Sequence, residues 1–285
     1  MQVGELLARC RREMESRGLP PDPDSEILVS ALAKVPRSRL RLDPRREAGD
    51  LFPALREWIG RRESGEPLQY ILGAWEFYGR EFRLSRDTLI PRPETEGLVE
   101  RIVERLRRTG RGAGRLLDVG TGSGAIAVTL AAELPRAFVV AVDRISAALT
   151  IARENARRHR VDDRVRFLCA DAYSALKSGA RFDVVVSNPP YVSDSEWESL
   201  PREVRDYEPA AALRGGADGL DLIRRLVREG SGYLSPGGEL WLEIGETQGK
   251  AVRTLSSGLL RCEGIERDLA GRDRVARWVL PSGNR

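Results

Sequence analysis

Cysteine and histidine, the residues from which zinc and iron sites are most often built, are scarce in this chain. Only Cys10, Cys169, Cys262 and His159 occur among its 285 residues, and no two of the cysteines form a Cys-x-x-Cys pair. Because structural metal sites need several such ligands close together, a zinc or di-iron site is not expected. An odd number of widely spaced cysteines predicts free thiols in a reducing compartment rather than a disulfide framework.

The sequence also lacks a long apolar run, and it has no strong excess of positive or negative residues. No segment reaches 18 consecutive apolar residues, and the first residues lead into charged ones without the apolar stretch of a signal peptide. Residues 1–75 carry 13 Lys and Arg against 12 Asp and Glu. We therefore expect a cytoplasmic protein without a membrane segment and without a basic arm for direct nucleic-acid binding.

The chain does have enough apolar sequence for a folded core, with 41% hydrophobic residues. Its first 73 residues predict a small helical domain. Helical spacing of apolar residues covers 3–17, 24–34 and 51–59, and a Gly- and Pro-punctuated stretch over 65–73 is expected to be extended. Residues 74–92 predict a hairpin linker, because aromatic and polar residues alternate there.

From residue 93 to residue 285, strands and helices alternate. The predicted strands are 116–119, 138–142, 165–169, 182–187, 239–244, 265–269 and 275–280, and the helices between them are 125–134, 147–158, 220–229 and 248–257. This alternation predicts an α/β fold, a Rossmann-like, doubly wound and mostly parallel seven-stranded sheet with helices on both faces. The last two strands are too close in sequence for a crossover, so they form a C-terminal antiparallel hairpin.

One turn near the middle of the chain combines a buried strand with two prolines. Residues 184–186 are valines and predict a short strand, which Pro189 and Pro190 must end because proline cannot continue a sheet. Asn188 therefore lies at the carboxyl edge of the sheet, where α/β proteins bind ligands. Its amide oxygen, the fixed proline carbonyls and the ring of Tyr191 suit a planar group that carries an NH2. Taken alone, these residues also fit a strand-ending turn with a satisfied asparagine.

A glycine-rich loop, Gly120-Thr121-Gly122-Ser123-Gly124, joins a predicted strand to a predicted helix. Glycine allows positive φ angles and a close approach of a ligand to the backbone. Asp143 ends the next strand, where an acid binds ribose hydroxyls in either an NAD or an S-adenosylmethionine site, and Asp171 follows the third strand, where it could accept from an adenine amino group. The loop and its acids predict an adenosine-containing cofactor, with a purely structural tight turn as the alternative.

The Asn188 turn separates the two cofactors. Hydride transfer makes no use of a rigid turn that accepts hydrogen bonds from an NH2, whereas methyl transfer to a planar nitrogen does. Hydrogen bonds from that NH2 to the Asn188 side chain and the Pro189 carbonyl would hold the nitrogen and favour the positive charge that builds on it. The sequence therefore predicts an N-methyltransferase that uses S-adenosyl-L-methionine, with no evident general base.

Several stretches together resemble one family, the release factor glutamine methyltransferases, also called the HemK or PrmC family. They run over nearly the whole chain and are Pro67–Gly73, Glu76–Gly79, Leu89–Glu96, Asp118–Ala125, Ser187–Tyr191, Tyr207–Pro209 and Asp268–Arg274. The Asn-Pro-Pro-Tyr turn alone is shared with DNA adenine and other N-methyltransferases. The stretches before Gly97 and after Asp268 are more specific.

The resemblance implies N5-methylation of the glutamine in the Gly-Gly-Gln motif of class-1 peptide chain release factors, with S-adenosyl-L-homocysteine as the other product. Residues 1–73 have a separate helical pattern and no catalytic constellation, so we expect them to recognise the substrate and residues 93–285 to carry out catalysis. The substrate-binding residues implied are Asn188, Pro189, Pro190 and Tyr191, with Asn188, Pro189 and Tyr191 as catalytic candidates. The cofactor-binding residues that the resemblance implies are Gly120, Thr121, Gly122, Ser123, Gly124 and Asp143, and we expect Asp171, Ala172 and Asn188 to contact the cofactor as well. Ala172 and Arg144 depart from the residues expected beside the adenine and predict a pocket of altered shape.

Two other functions fit part of the sequence. A DNA or RNA amino-group N-methyltransferase would share the glycine loop and the Asn188 turn, but it should also carry a basic groove or a recognition domain, which the near-neutral segment 1–75 does not supply. A non-enzymatic module that binds an adenosine nucleotide would use the loop and Asp143, but it leaves the Asn188 turn without a purpose.

Overall fold

The computed structural model describes residues 1–282, whose internal contacts form two compact units. The first unit consists of Met1–Ala74 together with Arg202–Tyr207, and the second contains the remaining described residues. The last three residues of the predicted 93–285 domain lie outside the described part of the chain. No helix within residues 1–282 is long and apolar enough to cross a membrane.

The first unit is helical. Its first five helices are α1 (Val3–Ser16), α2 (Asp24–Ala33), α3 (Arg37–Leu42), α4 (Phe52–Glu63) and α5 (Leu68–Leu72). Helix α1 buries Val3, Leu6, Leu7, Cys10 and Met14, whose spacing puts them on one face. The three longer helices confirm the sequence prediction, and the six-residue α3 was not predicted.

Helix α5 corrects the extended conformation predicted for residues 65–73. The helix begins directly after Pro67, whose fixed φ suits a helix start, and it ends at Gly73 with a left-handed φ of 69°. Leu68, Tyr70 and Ile71 are buried by this turn. The Gly and Pro residues therefore mark the two ends of a short helix rather than an extended segment.

The second unit contains the strands and the remaining helices except α10. The strands are β1 (Ala74–Phe77), β2 (Arg80–Arg83), β3 (Arg115–Val119), β4 (Phe138–Asp143), β5 (Val165–Cys169), β6 (Phe182–Ser187), β7 (Leu234–Glu243), β8 (Ser256–Ser257), β9 (Leu260–Arg267) and β10 (Asp273–Val279). The helices that follow α5 are α6 (Pro93–Arg108), α7 (Ala125–Glu133), α8 (Ser146–Arg158), α9 (Asp194–Trp197), α10 (Arg202–Tyr207), α11 (Ala210–Leu213), α12 (Asp221–Gly230) and α13 (Gly249–Arg253). Strands β1 and β2 pair as the predicted hairpin.

Helix α10 belongs to the first unit, although its neighbours in sequence belong to the second. The Arg62 guanidinium donates to Glu203 of α10 at 2.9 Å, and the Tyr207 hydroxyl donates to the carbonyl of Ser64 at 2.7 Å. The sequence pattern did not predict that a segment from the α/β half of the chain belongs to the helical unit.

The main sheet has eight strands in the order β5-β4-β3-β6-β7-β10-β9-β8. The first four pairings are parallel, while β10 lies antiparallel to both β7 and β9, which confirms the doubly wound sheet with a C-terminal antiparallel hairpin. The sequence predicted seven strands, and the sheet has eight because the unpredicted strand β8 pairs with the start of β9. The predicted helix 248–257 stops at Arg253, because the chain turns at Gly258 with a φ of 57° and forms this extra pairing.

Strand order places the predicted site at a topological switch point. From β3 the chain proceeds through β4 to β5 on one side of the sheet, and then returns to form β6 on the other side of β3. Loops at the carboxyl ends of β3 and β6 consequently diverge and leave a crevice between them. The Ser187 hydroxyl at the end of β6 donates to the Val119 carbonyl at the end of β3, at 2.6 Å.

Candidate active site

A cavity of about 390 Å³ lies at this switch point. Its walls include Gly120 and Gly122 after β3, Asp143 at the end of β4, and Asn188 after β6. Its size falls within the range of small-molecule and cofactor pockets. The four parallel strands therefore bring the glycine loop, the predicted acids and the asparagine turn to one place.

The glycine loop needs its glycines for backbone conformation. Gly120, Gly122 and Gly124 have φ angles of 75°, 55° and 83°, which residues with a Cβ rarely adopt. A Cβ on Gly122 would meet no atom within 4 Å, whereas one on Gly124 would come within 3.1 Å of the Ala152 Cβ. Gly122 thus keeps space open at the cavity, and Gly124 allows α7 to pack close to α8.

Asp118, in the strand that leads into this loop, is fully buried. Its Oδ2 accepts from the Thr121 hydroxyl at 2.6 Å and from the Ala127 backbone N–H at 3.2 Å. Its Oδ1 has no hydrogen-bond partner among the described residues. Burial, reinforced by the negative charge of Asp143, raises the pKa of Asp118 to about 7 despite these two hydrogen bonds.

Asp143 fixes the shape of the loop from the neighbouring strand. Its Oδ2 accepts from the Gly122 N–H at 2.8 Å, and its Oδ1 accepts from the Ile145 N–H at 2.9 Å. Each carboxylate oxygen can accept more than one hydrogen bond, so both stay available to hydroxyl donors in the cavity. The carboxylate therefore has a structural role in addition to the predicted cofactor-binding one.

The loop after β5 forms another wall of the cavity. Asp171 and Ala172 both line it, and Asp171 Oδ2 accepts from the Arg225 guanidinium at 2.6 Å. Ala172 is buried and has a φ of 49°. Arg144 also lines the cavity, as expected from its position after Asp143.

Some predicted site residues do not line the cavity. Thr121 donates to Asp118, and the Ser123 carbonyl accepts from the Asn155 side chain at 2.8 Å. Along with these two residues, Gly124, Pro189 and Tyr191 are also absent from the cavity wall. Their direct contacts with cofactor or substrate stay predictions, while the loop residues among them support the fold of the site.

Asn188 is the residue of the proline turn that reaches the cavity together with Pro190. Its Nδ2 donates to the Thr95 hydroxyl at 3.0 Å, and that hydroxyl donates to Oε2 of Glu243 at 2.6 Å. No hydrogen bond to Asn188 Oδ1 is present within residues 1–282. The side-chain amide is therefore held by its nitrogen, with its oxygen left to accept a hydrogen bond.

Glu243, at the end of β7, is fully buried behind this turn. Its second oxygen, Oε1, accepts from the Tyr191 hydroxyl at 3.2 Å. Burial raises the pKa of Glu243 to about 7, although the hydrogen bonds from Thr95 and Tyr191 and the charge of Arg274 oppose this shift. Burial also raises the pKa of Tyr191, so its hydroxyl stays protonated and can donate to the carboxylate.

The proline turn is held from outside the cavity as well. The Gln248 side chain donates to the carbonyl of Tyr191 at 3.0 Å and to that of Gly219 at 3.2 Å. A Cβ on Gly219 would come within 2.1 Å of the Tyr191 carbonyl oxygen, so only glycine permits this approach. The turn is consequently rigid for reasons beyond its two prolines.

Sequence reasoning gave no role to Thr95, Glu243 or Glu208. Buried Glu208 accepts from the Ile90 N–H at 3.2 Å and from the Arg92 guanidinium, which ties together two of the family-like stretches. One available indication was Glu243 itself, an acid that follows the apolar residues 240–242 at the end of a predicted strand. Glutamate is almost never fully buried unless it is paired, so an acid at the end of a buried strand indicates a specific partner or role.

The residues of the cavity fit S-adenosyl-L-methionine. The open space over Gly122 lets a ligand approach the backbone, and the Asp143 carboxylate can accept from a ribose diol. Asp171 supplies an acceptor on the adjacent loop. These groups match an adenosine moiety, and Asn188 faces the same cavity.

Comparisons with known proteins agree with this fit. Residues 5–73 match the PrmC N-terminal domain, and residues 95–201 match the Methyltransferase small domain. A methyltransferase from Pyrococcus furiosus is similar in fold, with a TM-score of 0.52 and 19% identity, over 72% of this chain and 91% of that one. The chain is a methyltransferase of the class that uses S-adenosyl-L-methionine, as predicted.

Relatives of higher identity define the family. The release factor glutamine methyltransferase of Nitratidesulfovibrio vulgaris is 41% identical over 94% of this chain and 92% of that protein. Those of Moorella thermoacetica and Aquifex aeolicus are 42% and 36% identical, over 96% and 98% of this chain and 97% and 96% of theirs. The chain belongs to the release factor glutamine methyltransferase family, which confirms the resemblance drawn from its motifs.

Proposed function

We propose that this protein methylates the N5 amide nitrogen of the glutamine in the Gly-Gly-Gln motif of class-1 peptide chain release factors. The observation that carries the proposal is the hydrogen bonding of Asn188, which lines the cavity and whose Nδ2 donates to Thr95, while its Oδ1 accepts no hydrogen bond within residues 1–282. An acceptor held in this way selects a planar group with an NH2, and glutamine carries such a group at the end of a flexible side chain.

The glycine loop and Asp143 would hold the cofactor, with Asp171 and Ala172 beside its adenine. When bound, S-adenosyl-L-methionine supplies an electrophilic methyl group on a positively charged sulfur, and S-adenosyl-L-homocysteine is left after transfer. The role of Asp143 is to accept hydrogen bonds from the ribose hydroxyls, and such charge-assisted bonds are stronger than neutral ones. Gly120 and Gly122 let the ligand lie against the backbone.

Asn188 and Pro189 would hold the acceptor nitrogen. Their oxygen atoms accept the two amide hydrogens of the substrate, which fixes the nitrogen and stabilises the positive charge that grows on it as the N–C bond forms and the S–C bond breaks. The methylated nitrogen then loses a proton. Pro190 and the Tyr191 ring complete the substrate site, and the Tyr191 hydroxyl, bound to Glu243, keeps that ring in place.

Residues 1–73 would recognise the protein substrate, and residues 93–285 would carry out the transfer. The support is the separate helical unit and its near-balanced charge, with 13 basic and 12 acidic residues up to residue 75. A unit of this composition suits a protein partner better than a phosphate backbone. A substrate of the translation apparatus would also put the reaction in the cytoplasm.

The test is transfer of a labelled methyl group from S-adenosyl-L-methionine to a purified class-1 release factor, with DNA and RNA offered in parallel. We expect label on the release factor alone, with little dependence on salt. Label on nucleic acid would favour an amino-group methyltransferase of DNA or RNA. Cofactor binding without transfer to any substrate would favour a non-enzymatic nucleotide-binding module.

A further inference from the structure

The hydrogen-bond chain behind Asn188 has a direction, and that direction decides which end of the amide faces the cavity. The Thr95 hydroxyl has one hydrogen, which it donates to Oε2 of Glu243 at 2.6 Å. Thr95 can therefore only accept from Asn188, which must present its Nδ2, as observed at 3.0 Å. Asn188 Oδ1 is consequently turned away from Thr95.

We propose that Glu243 and Thr95 are positioning residues that hold the Asn188 amide with its oxygen toward the acceptor nitrogen. The proposal rests on the proposed function for the identity of that nitrogen, but the orientation itself can be measured without a substrate. Neither residue lines the cavity, so both act through Asn188.

The ionised form of Glu243 is the one that enforces this direction. An ionised carboxylate only accepts hydrogen bonds, whereas a protonated one can donate. When protonated Glu243 donates to Thr95, the Thr95 hydroxyl is released to donate to Asn188 Oδ1. The amide then presents its NH2 to the substrate NH2, and two donors face each other.

Groups from three elements surround Glu243. Thr95 and Glu94 belong to α6, Tyr191 follows β6, and Arg274 lies on β10. The Glu94 charge raises the pKa of Glu243 further, while the charge of Arg274 and the two hydroxyl donors lower it. Because burial dominates, Glu243 changes its charge near neutral pH and the orientation of Asn188 changes with it.

Two substitutions at Thr95 test the relay. Thr95→Val would leave Nδ2 of Asn188 without an acceptor in the productive orientation, so kcat is expected to fall by about 10- to 100-fold. Thr95→Ser keeps the hydroxyl and should restore kcat to near the parent value, with the affinity for S-adenosyl-L-methionine unchanged in both. Equal kcat for Thr95→Val and Thr95→Ser would overturn the proposal.

The pH profile tests Glu243. In the parent protein kcat should rise as pH increases through about 7, the pKa of Glu243. The amide of Glu243→Gln can still accept from Thr95 through its oxygen, so substantial activity should remain, but this rise with pH should disappear. Glu239→Gln is the control, because Glu239 is a buried acid on the same strand that is bonded to Trp241 and Arg105 instead. It should keep the rise, and a rise that persists in Glu243→Gln would contradict the proposal.

A measurement without substrate separates this inference from the proposed function. The side-chain amide of Asn188 can be followed by nuclear magnetic resonance in the full chain bound to S-adenosyl-L-homocysteine, with Asn188→Asp used to assign it. Its signals should shift with a midpoint near neutral pH in the parent protein and stay constant in Glu243→Gln. Constant signals in the parent would overturn the inference even if release factor is methylated, whereas a shift without methylation would overturn only the proposed substrate.

Discussion

Asn188 brings together the features of this site at the scale of a single residue. It directly follows a buried strand, its nitrogen donates to Thr95, and the residue lines the cavity. Because the prolines and Gln248 hold the turn independently of this side chain, replacing it should leave the fold intact. The residue is therefore well suited to a substitution that changes chemistry without changing structure.

Asn188→Ala should lower kcat by about 100- to 1,000-fold, the cost of removing one hydrogen-bond partner of the transition state. The affinity for S-adenosyl-L-methionine should change little, since the adenosine contacts are expected from Gly120, Asp143 and Asp171. Steady-state kinetics and calorimetry on the same preparation measure both quantities. A kcat within a few-fold of the parent would remove Asn188 from the mechanism.

Asp118 predicts a pH dependence of stability. Its pKa is raised from an ordinary value of 3.8 to about 7 in the folded state. Between these two values the folded chain holds a proton that the unfolded chain has released, so the free energy of unfolding falls as pH rises from about 4 to about 7. Asp118→Asn removes this group, and urea denaturation of the variant should show a smaller loss of stability over the same interval. Parallel curves for the two proteins would contradict the buried, proton-binding state of Asp118.

Residues of the site differ in how far sequence could identify them. The glycines, Asp143 and Asn188 occur in stretches whose spacing relative to strands carries information, and the structure brings them to one cavity. Thr95 and Glu243 are far apart in sequence and meet only because α6 packs near the end of β7. No local pattern encodes such a contact, and the same holds for the Tyr191 hydroxyl, for which only ring stacking was expected.

At the scale of elements, the glycine loop offers a matched pair of substitutions. Both Gly122 and Gly124 have positive φ angles, so alanine at either position is strained by roughly 1–2 kcal/mol. Alanine at Gly122 meets open space at the cavity, whereas alanine at Gly124 also presses on Ala152. Gly122→Ala should therefore mainly weaken S-adenosyl-L-methionine binding, and Gly124→Ala should mainly lower the melting temperature. The reverse pattern would show that the two glycines have been assigned the wrong roles.

Long periodic elements were predictable, and short ones were not. The parallel strands and the helices α7, α8 and α12 follow apolar patterns that sequence displays directly. Helices α3 and α5 and strand β8 have between two and six residues, too few to establish a period. Their conformations depend on capping prolines and glycines and on contacts with distant residues.

At the scale of the whole molecule, we propose that residues 1–73 recognise the substrate and that residues 93–285 carry out the chemistry. A truncated chain that starts near Trp75 would lack the helices against which α10 packs, including the contacts of Arg62 and Ser64 with Glu203 and Tyr207. We expect it to bind S-adenosyl-L-methionine with the parent affinity and to methylate intact release factor poorly. Full activity on the intact substrate would show that residues 1–73 serve another purpose.

The most direct measurement is mass spectrometry of a class-1 release factor after incubation with this protein and S-adenosyl-L-methionine. The account predicts one added methyl group on the glutamine of the Gly-Gly-Gln peptide. It predicts none when that residue is changed to glutamate, which has no NH2 to donate, or to asparagine, which is one methylene too short to reach the methyl group. A methyl group on another residue, or undiminished methylation of either altered release factor, would contradict it.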